Sequence, residues 1–404
     1  MPSIEAATIR KVLDSRGEAT VEVDVLIDGV RGRAAAPSGA STSAHEARAF
    51  PEGGVDVGIA RFEDEVEPRL VGFEATDQKA VDTLLQEIDG TASFSRIGGN
   101  VAVAMSLAVA KAAANALGLP LYRYVGGTLA LPHPLPHPMG NMIGGGRHAI
   151  GGTTFQEFLS VAQGPTVAAS VFANAQVHHR VRDILRARLP AGPLGHGDEG
   201  AWVVAMDDEA ALEVLAEACK TVSREAGFEI RPALDIAASS FYRDGAYRYP
   251  ARSLSPPQQI EFVADLIERY RLFSVEDPLQ ENDFEGHARL TEMVGSRCHV
   301  IGDDMFATNV ERLRRGIGMK AANAILIKPN QIGTLSGAKA AVDLAHRHGY
   351  AAVMSHRSGE TTDDTIAHLA VAFGCLAIKC GAVGGERTAK LNELIRIEEE
   401  LVEA

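Results

Sequence analysis

Along TVEVDVLIDGVRGRAAA (20–36) apolar and polar residues alternate with a period of two, and Asp28-Gly29 breaks the alternation where a hairpin turns. The pattern predicts strands over residues 5–36. Helical periods follow around 58–70, 77–89 and 99–117. The small polar stretch PSGASTSAHEA (37–47) between them reads as a mobile loop leading into a helix. Strands first and helices afterwards, without alternation, predict an α+β domain over residues 1–128. The proline-spaced LALPHPLPHPM (129–139) reads as a stiff crossing segment, with His133 and His137 as spacers. Residues 129–404 then form the second domain.

From residue 229 short apolar runs alternate with helical patterns, and each run ends in a charged or polar residue. RPALDIAAS delivers Asp235, LFSVEDP delivers Glu276 and Asp277, and CHVIGDD delivers Asp303 and Asp304. ANAILIKPN delivers Lys328, YAAVMSHRSG delivers His356, Arg357 and Ser358, and CLAIKCG delivers Lys379. The runs are apolar throughout, as parallel strands covered on both faces are. A closed (β/α) barrel gathers such strand ends around one cavity, whereas an open sheet spreads them along an edge. The fold predicted is α/β: a C-terminal barrel with an N-terminal α+β capping domain.

Composition narrows the partners. Lys plus Arg is 39 against 53 for Asp plus Glu, a net charge of -14, which disfavours nucleic acid and anionic membranes. VAVAMSLAVA (101–110) is too short to span a bilayer and reads as a buried helix. The start carries no apolar leader pattern, and the four cysteines form no close pair, so a reducing, cytoplasmic setting is expected. No G-x-G-x-x-G follows a first strand and no GK[ST] occurs, so a nucleotide cradle has no support. VHHR (177–180) is expected on a helix surface, and nothing singles out Trp202 for stacking.

Asp235, Glu276 and Asp303 fall on three successive strand ends. Three carboxylates on one rim call for a counter-charge, and oxygen-only ligation favours magnesium. The other reading is that each pairs with a lysine or arginine across the rim. Lys328 leaves a rigid strand beside Lys379; a lysine near a cation and a second lysine has its pKa lowered and becomes a base. As a plain counter-ion it would serve those carboxylates instead. Arg357 and Ser358 offer a fork and a hydroxyl to a phosphate or carboxylate. His148 either joins them or is a satisfied polar histidine. Together these groups suit removal of a proton alpha to a carboxylate, with metal ions holding a doubly charged enediolate. Loss of a hydroxyl then needs an acid from another loop, and Glu199 in GDEGAWVV (197–204) is the candidate. The same GDEG is also an ordinary turn composition.

These blocks carry a family resemblance. VLDSRG (12–17), PSGAST (37–42), GGGRHA (144–149), FQEF (155–158), GDEG (197–200), ALDIAAS (233–239) and VEDP (275–278) come in order, followed by GDDMFATN (302–309), IKPNQIGT (327–334), SHRSGET (355–361) and LNELIRIEEEL (391–401). Over nearly its whole length the chain resembles enolase, the phosphopyruvate hydratase family, in its archaeal wording. The resemblance implies magnesium-dependent dehydration of 2-phospho-D-glycerate to phosphoenolpyruvate. It makes Lys328 the base at C2, Glu199 the acid for the C3 hydroxyl, Glu157 its helper, and Lys379 the partner of the substrate carboxylate. It gives one magnesium to Asp235, Glu276 and Asp303 and a second, held through the substrate, to Ser41. His148, Gln156, Arg357 and Ser358 would surround the phosphorylated hydroxy acid. It also implies a homodimer or higher homo-oligomer.

The chain departs from the family at Ser43, at Val203 and Val204 after GDEG-Ala-Trp, and at Gly384 and Gly385, and it carries Cys380 in IKCG. These departures leave two alternatives open. One is a paralogue dehydrating a larger 2-phospho-3-hydroxy acid, similar to carboxyphosphonoenolpyruvate synthase of phosphinate natural-product pathways. The other is an inactive enolase-fold binding protein.

Overall fold

The structure, a computed structural model, describes residues 2–40, 43–127, 135–149, 151–189 and 194–403. Ser41 and His133 lie outside the described residues.

The N-terminal part opens with three antiparallel strands, β1 (Ile4–Leu13), β2 (Ala19–Ile27) and β3 (Val30–Ala35). Asp28 and Gly29 turn between β2 and β3 at positive φ (49° and 73°), the conformation a tight hairpin requires. Helices at Val55–Arg61, Gln78–Asp89 and Gly99–Ala116 follow, close to the predicted spans. Gly99–Ala116 is buried along nearly its whole length. Its alanines let the sheet approach so closely that a Cβ on Gly32 would lie 2.1 Å from the Ala112 nitrogen.

The stretch read as leading into a helix does so, with the next helix starting at Val55. The backbone of 43–50 is spent on long-range partners. Ala47 N donates to Gln331 O, Arg48 N to Ser93 O, and Arg48 O and Ala49 O accept from Gly99 and Asn100. The segment therefore bridges the capping helices and the rim of the second part.

That second part is a closed eight-stranded barrel. Its strands are β4 (His137–Gly144), β5 (Glu157–Ala162), β6 (Ile230–Asp235), β7 (Ser274–Glu276), β8 (His299–Gly302), β9 (Ala324–Ile327), β10 (Ala351–Ser355) and β11 (Ala377–Lys379). β6 to β11 run parallel, as their apolar texture predicts, and β11 closes onto β4. β5 differs: it is antiparallel to both β4 and β6. The crossing segment read over 129–139 ends inside the barrel wall, since His137 opens β4. Met139, Leu159, Val161, Ala233, Phe273, Ile301, Ala324, Leu326, Val353 and Ala377 fill the interior, so the barrel is a packed core open to chemistry only at its rim.

One carboxylate ties the two parts. Asp82, 4% exposed, accepts from Ser106 Oγ at 2.6 Å, Gln78 Nε2 at 2.9 Å and the Ser336 backbone N–H at 2.8 Å. Ser106 Oγ in turn accepts from Leu335 N at 3.0 Å. Two first-turn N–H groups of the barrel helix Leu335–Arg347 are thus satisfied by the capping domain. Asp82→Ala is expected to cost about 2 kcal/mol, the loss of a cap plus stranded buried donors, read as a lower urea midpoint at unchanged m.

Candidate active site

The barrel's register sets the site. Asp235 at the end of β6 pairs with Glu276 at the end of β7, and on its other side with Glu157. Because β5 is antiparallel, Glu157 reaches this rim from the start of its strand rather than the end. Three adjacent strands therefore hold three carboxylates level. Asp303 follows β8, Lys328 follows β9, and Lys379 ends β11.

Lys379 stands in the middle of the row. Its Nζ lies 2.8 Å from Glu276 Oε2, 3.1 Å from Asp235 Oδ2 and 3.1 Å from Glu157 Oε1. Lys328 Nζ donates to Asp303 Oδ2 at 2.5 Å. The reading of each rim acid as paired with a lysine is met in this geometry. Burial works against both ammonium groups, but the facing carboxylates outweigh it, and both lysines stand above their ordinary pKa. At Lys328 the facing Asp303 raises it, while Arg357 and Lys379 lower it.

Two lysines do not balance the site. Burial, and repulsion from Glu199, push Glu157 well above the usual carboxylate range; burial and Asp235 do the same to Glu276. Glu276 Oε1 and Glu157 Oε2 are buried without a hydrogen-bond partner among the described residues. Excess carboxylates with orphaned oxygens are what a hard divalent cation satisfies. Two groups of ligand atoms are close enough to hold one: His148 with Glu157 and Glu199, and Asp277 with Asp303 and Asp304.

Glu199 arrives from outside the strand ends. Trp202–Val203 pairs in parallel with the end of β4, and Gly195–His196 folds back on it, so GDEG forms the tip of a small hairpin at the rim. Gly200 makes that tip possible, with φ of 75° and no room for a Cβ, which would meet Val383 O at 2.8 Å. Glu199 is 3% exposed. Its Oε2 accepts from Asn141 Nδ2 at 3.0 Å and lies 3.4 Å from His356 Nε2; its Oε1 lies 3.5 Å from His148 Nδ1. Burial opposes its charge, yet His356 and His148 outweigh burial and hold it well below the usual range.

A small, polar cavity lies among these groups, lined by Gly39, His148, Gln156, Glu157, Glu199, Asp235, Lys328, His356, Arg357, Ser358 and Lys379 among others. Gln156 Nε2 donates to Asp235 Oδ2 at 3.1 Å. Ser358 Oγ accepts from Ala40 N at 2.6 Å, and Arg357 pairs with Glu46 at 2.9 Å, so the rim holds Ala40 and Glu46 of the N-terminal part.

Two relatives of known activity settle the family. The chain is 54% identical to the enolase of Methanothermobacter thermautotrophicus over 404 residues, 98% of this chain and 97% of the relative. It is 48% identical to that of Thermoplasma acidophilum over 396 residues, 98% of each. The family described as "Enolase, N-terminal domain" matches residues 4–125, and "Enolase, C-terminal TIM barrel domain" matches residues 132–404. The chain belongs to the enolase family. It is an enzyme, a hydro-lyase of the enolase type.

Within that family, four residues near the site carry contacts that sequence reading did not assign. Asn141 sits at an irregularity of the β4–β5 ladder, where the pairing shifts between Asn141 and Ile143. His356 was visible only as a strand-end marker. Arg387, fully buried, donates to His356 Nδ1 at 2.7 Å, Arg357 O at 2.7 Å, Ser358 O at 2.6 Å and Asp198 O at 3.1 Å. His178 corrects an expectation outright. It is 2% exposed, not a surface residue, and its ring stacks on Trp202 with centroids 5.0 Å apart. Trp202, for which no stacking role was foreseen, also has His196 at 4.1 Å.

Proposed function

We propose that the side chains gathered at this barrel mouth carry out the enolase reaction, the magnesium-dependent dehydration of 2-phospho-D-glycerate to phosphoenolpyruvate. The observation that carries it is the gathering, around one cavity, of Lys328, Lys379, Glu157 and Glu199. Asp235, Glu276 and Asp303 would hold one magnesium; Ser41 would serve a second. When bound, the ion supplies positive charge against which the substrate carboxylate gathers electron density.

Lys328, fixed at the end of a buried strand, takes the proton from C2. Lys379 donates to the substrate carboxylate, where the negative charge collects. Glu199, helped by Glu157 beside it, gives a proton to the departing C3 hydroxyl. His148, Gln156, Arg357 and Ser358 bind and orient the phosphorylated acid. The departures from the family lie elsewhere. Val204 packs in the apolar core, Val203 pairs with Gly144, and Ser43 turns to Glu46, Glu281 and Asp304. Gly384 and Gly385 begin the last helix. None of them lines the cavity, which supports the small glycolytic acid over a bulkier one. We place the domain boundary at residue 128 and expect a cytoplasmic homodimer or higher homo-oligomer; no helix among the described residues is long and apolar enough to cross a membrane.

The test follows the conjugated product by ultraviolet absorbance with purified protein, magnesium and 2-phospho-D-glycerate. Turnover of about 10 s⁻¹ or more is expected, lost on chelation and restored by magnesium. Turnover thousands-fold slower, with magnesium still bound, would reject the assignment of this substrate.

A further inference from the structure

Glu199 belongs to no barrel strand, so something other than the barrel has to fix it. The peptide carbonyls on both sides of it are gripped by buried side chains. Arg387 Nη2 donates to Asp198 O at 3.1 Å, and the Nε2 of His178 lies 2.9 Å from Gly200 O. A carbonyl only accepts, so His178 carries its proton on Nε2. Its Nδ1 is buried with no partner among the described residues, which suits a neutral ring. His178 is itself locked. It lies in the helix Val167–Arg188, whose Val177 and Val181 are buried in the core on either side of it. Trp202 stacks on its face, and Trp202 Nε1 donates to the His178 carbonyl at 3.0 Å. Helix and hairpin are thus joined by two reciprocal hydrogen bonds and a ring stack, one residue from the acid.

We propose that His178, seated on Trp202, is a positioning residue for Glu199, setting the loop so that the acid meets the C3 hydroxyl. This rests on the reading of Glu199 as the acid. His178 touches neither substrate nor Lys328, so its influence falls on loss of the hydroxyl and not on removal of the C2 proton.

Those two steps separate experimentally. Substrate carrying deuterium at C2 is incubated with enzyme and magnesium in ordinary water. Dehydration is read by absorbance, and return of hydrogen to C2 by mass spectrometry of recovered substrate. His178→Phe keeps the stack and removes the donor; kcat is expected to fall about five- to tenfold, with KM within twofold and the ratio of exchange to dehydration rising by the same factor. His178→Gln, which restores an N–H, is expected to recover at least half of the loss. Trp202→Phe, which frees the His178 carbonyl and keeps a ring, shifts the ratio in the same direction should the phenylalanine variant not fold. An unchanged ratio, or exchange and dehydration falling together, overturns the proposal. Glu199→Gln is the control. If it fails to raise the ratio, the acid assignment is at fault; if it raises the ratio and the His178 and Trp202 variants do not, the positioning role is.

Discussion

Lys328→Ala is expected to lower kcat for 2-phospho-D-glycerate about 10⁴-fold or more, the upper range for removal of a positioned base. Lys328 is placed with little freedom. It leaves β9, whose four residues are fully buried, its backbone N–H donates to Thr308 Oγ1 at 3.0 Å, and its Nζ meets Asp303. A base so held has no neighbour able to substitute. Lys379 is the nearest amine in kind, but it is engaged by Glu276, Asp235 and Glu157. The variant is expected to fold, because Gln331 Nε2 still donates to Asp303 Oδ1 at 3.1 Å. The diagnostic reading is C2 exchange. Lys328→Ala is expected to lose exchange and dehydration together, whereas a variant of the acid loses dehydration alone. Exchange that persists in Lys328→Ala would move the base to another residue.

What could be read in the chain divides along a physical line. Parallel strands end where they point, so an apolar run followed by a charge puts that charge on the rim. Asp235, Glu276, Asp303, Lys328 and Lys379 follow from that rule alone. Glu157 breaks it, because β5 runs the other way and presents its first residue; only the wording FQEF pointed to it. Glu199 has no strand to announce it, and a GDEG turn looks the same at a surface. Its surroundings were less legible still. Asn141 depends on a shift in pairing that no periodicity signals. His178 looked like a surface residue because HHR is polar, although its neighbours Val177 and Val181 mark the buried face of the same helix.

Arg387 is the largest of these omissions. In GGERTAK it stands among charged and polar residues, yet the guanidinium is wholly buried, with an ion pair to Glu386 at 3.2 Å beside its other partners. Its two terminal nitrogens serve three carbonyls and one imidazole, drawn from the Glu199 loop and from the segment after β10. Arg387→Met takes the guanidinium donor from all four acceptors, of which Ser358 O keeps the Ser15 hydroxyl at 3.4 Å. A loss of about 3–5 kcal/mol is expected, the cost of breaking a buried charged network, measured by urea unfolding. Turnover is expected to fall as well, by at least about tenfold, under conditions where the variant is fully folded. The reason is the imidazole: with Arg387 donating to Nδ1, the proton of His356 sits on Nε2, aimed at Glu199. Without that donor the ring is free to carry its proton on Nδ1 and set a lone pair against the carboxylate. Arg387→Lys separates the contributions. One ammonium keeps the charge but cannot span four acceptors in two directions. It is expected to return less than half of the lost stability; full recovery would mean that charge alone, and not the fork, holds the two loops together.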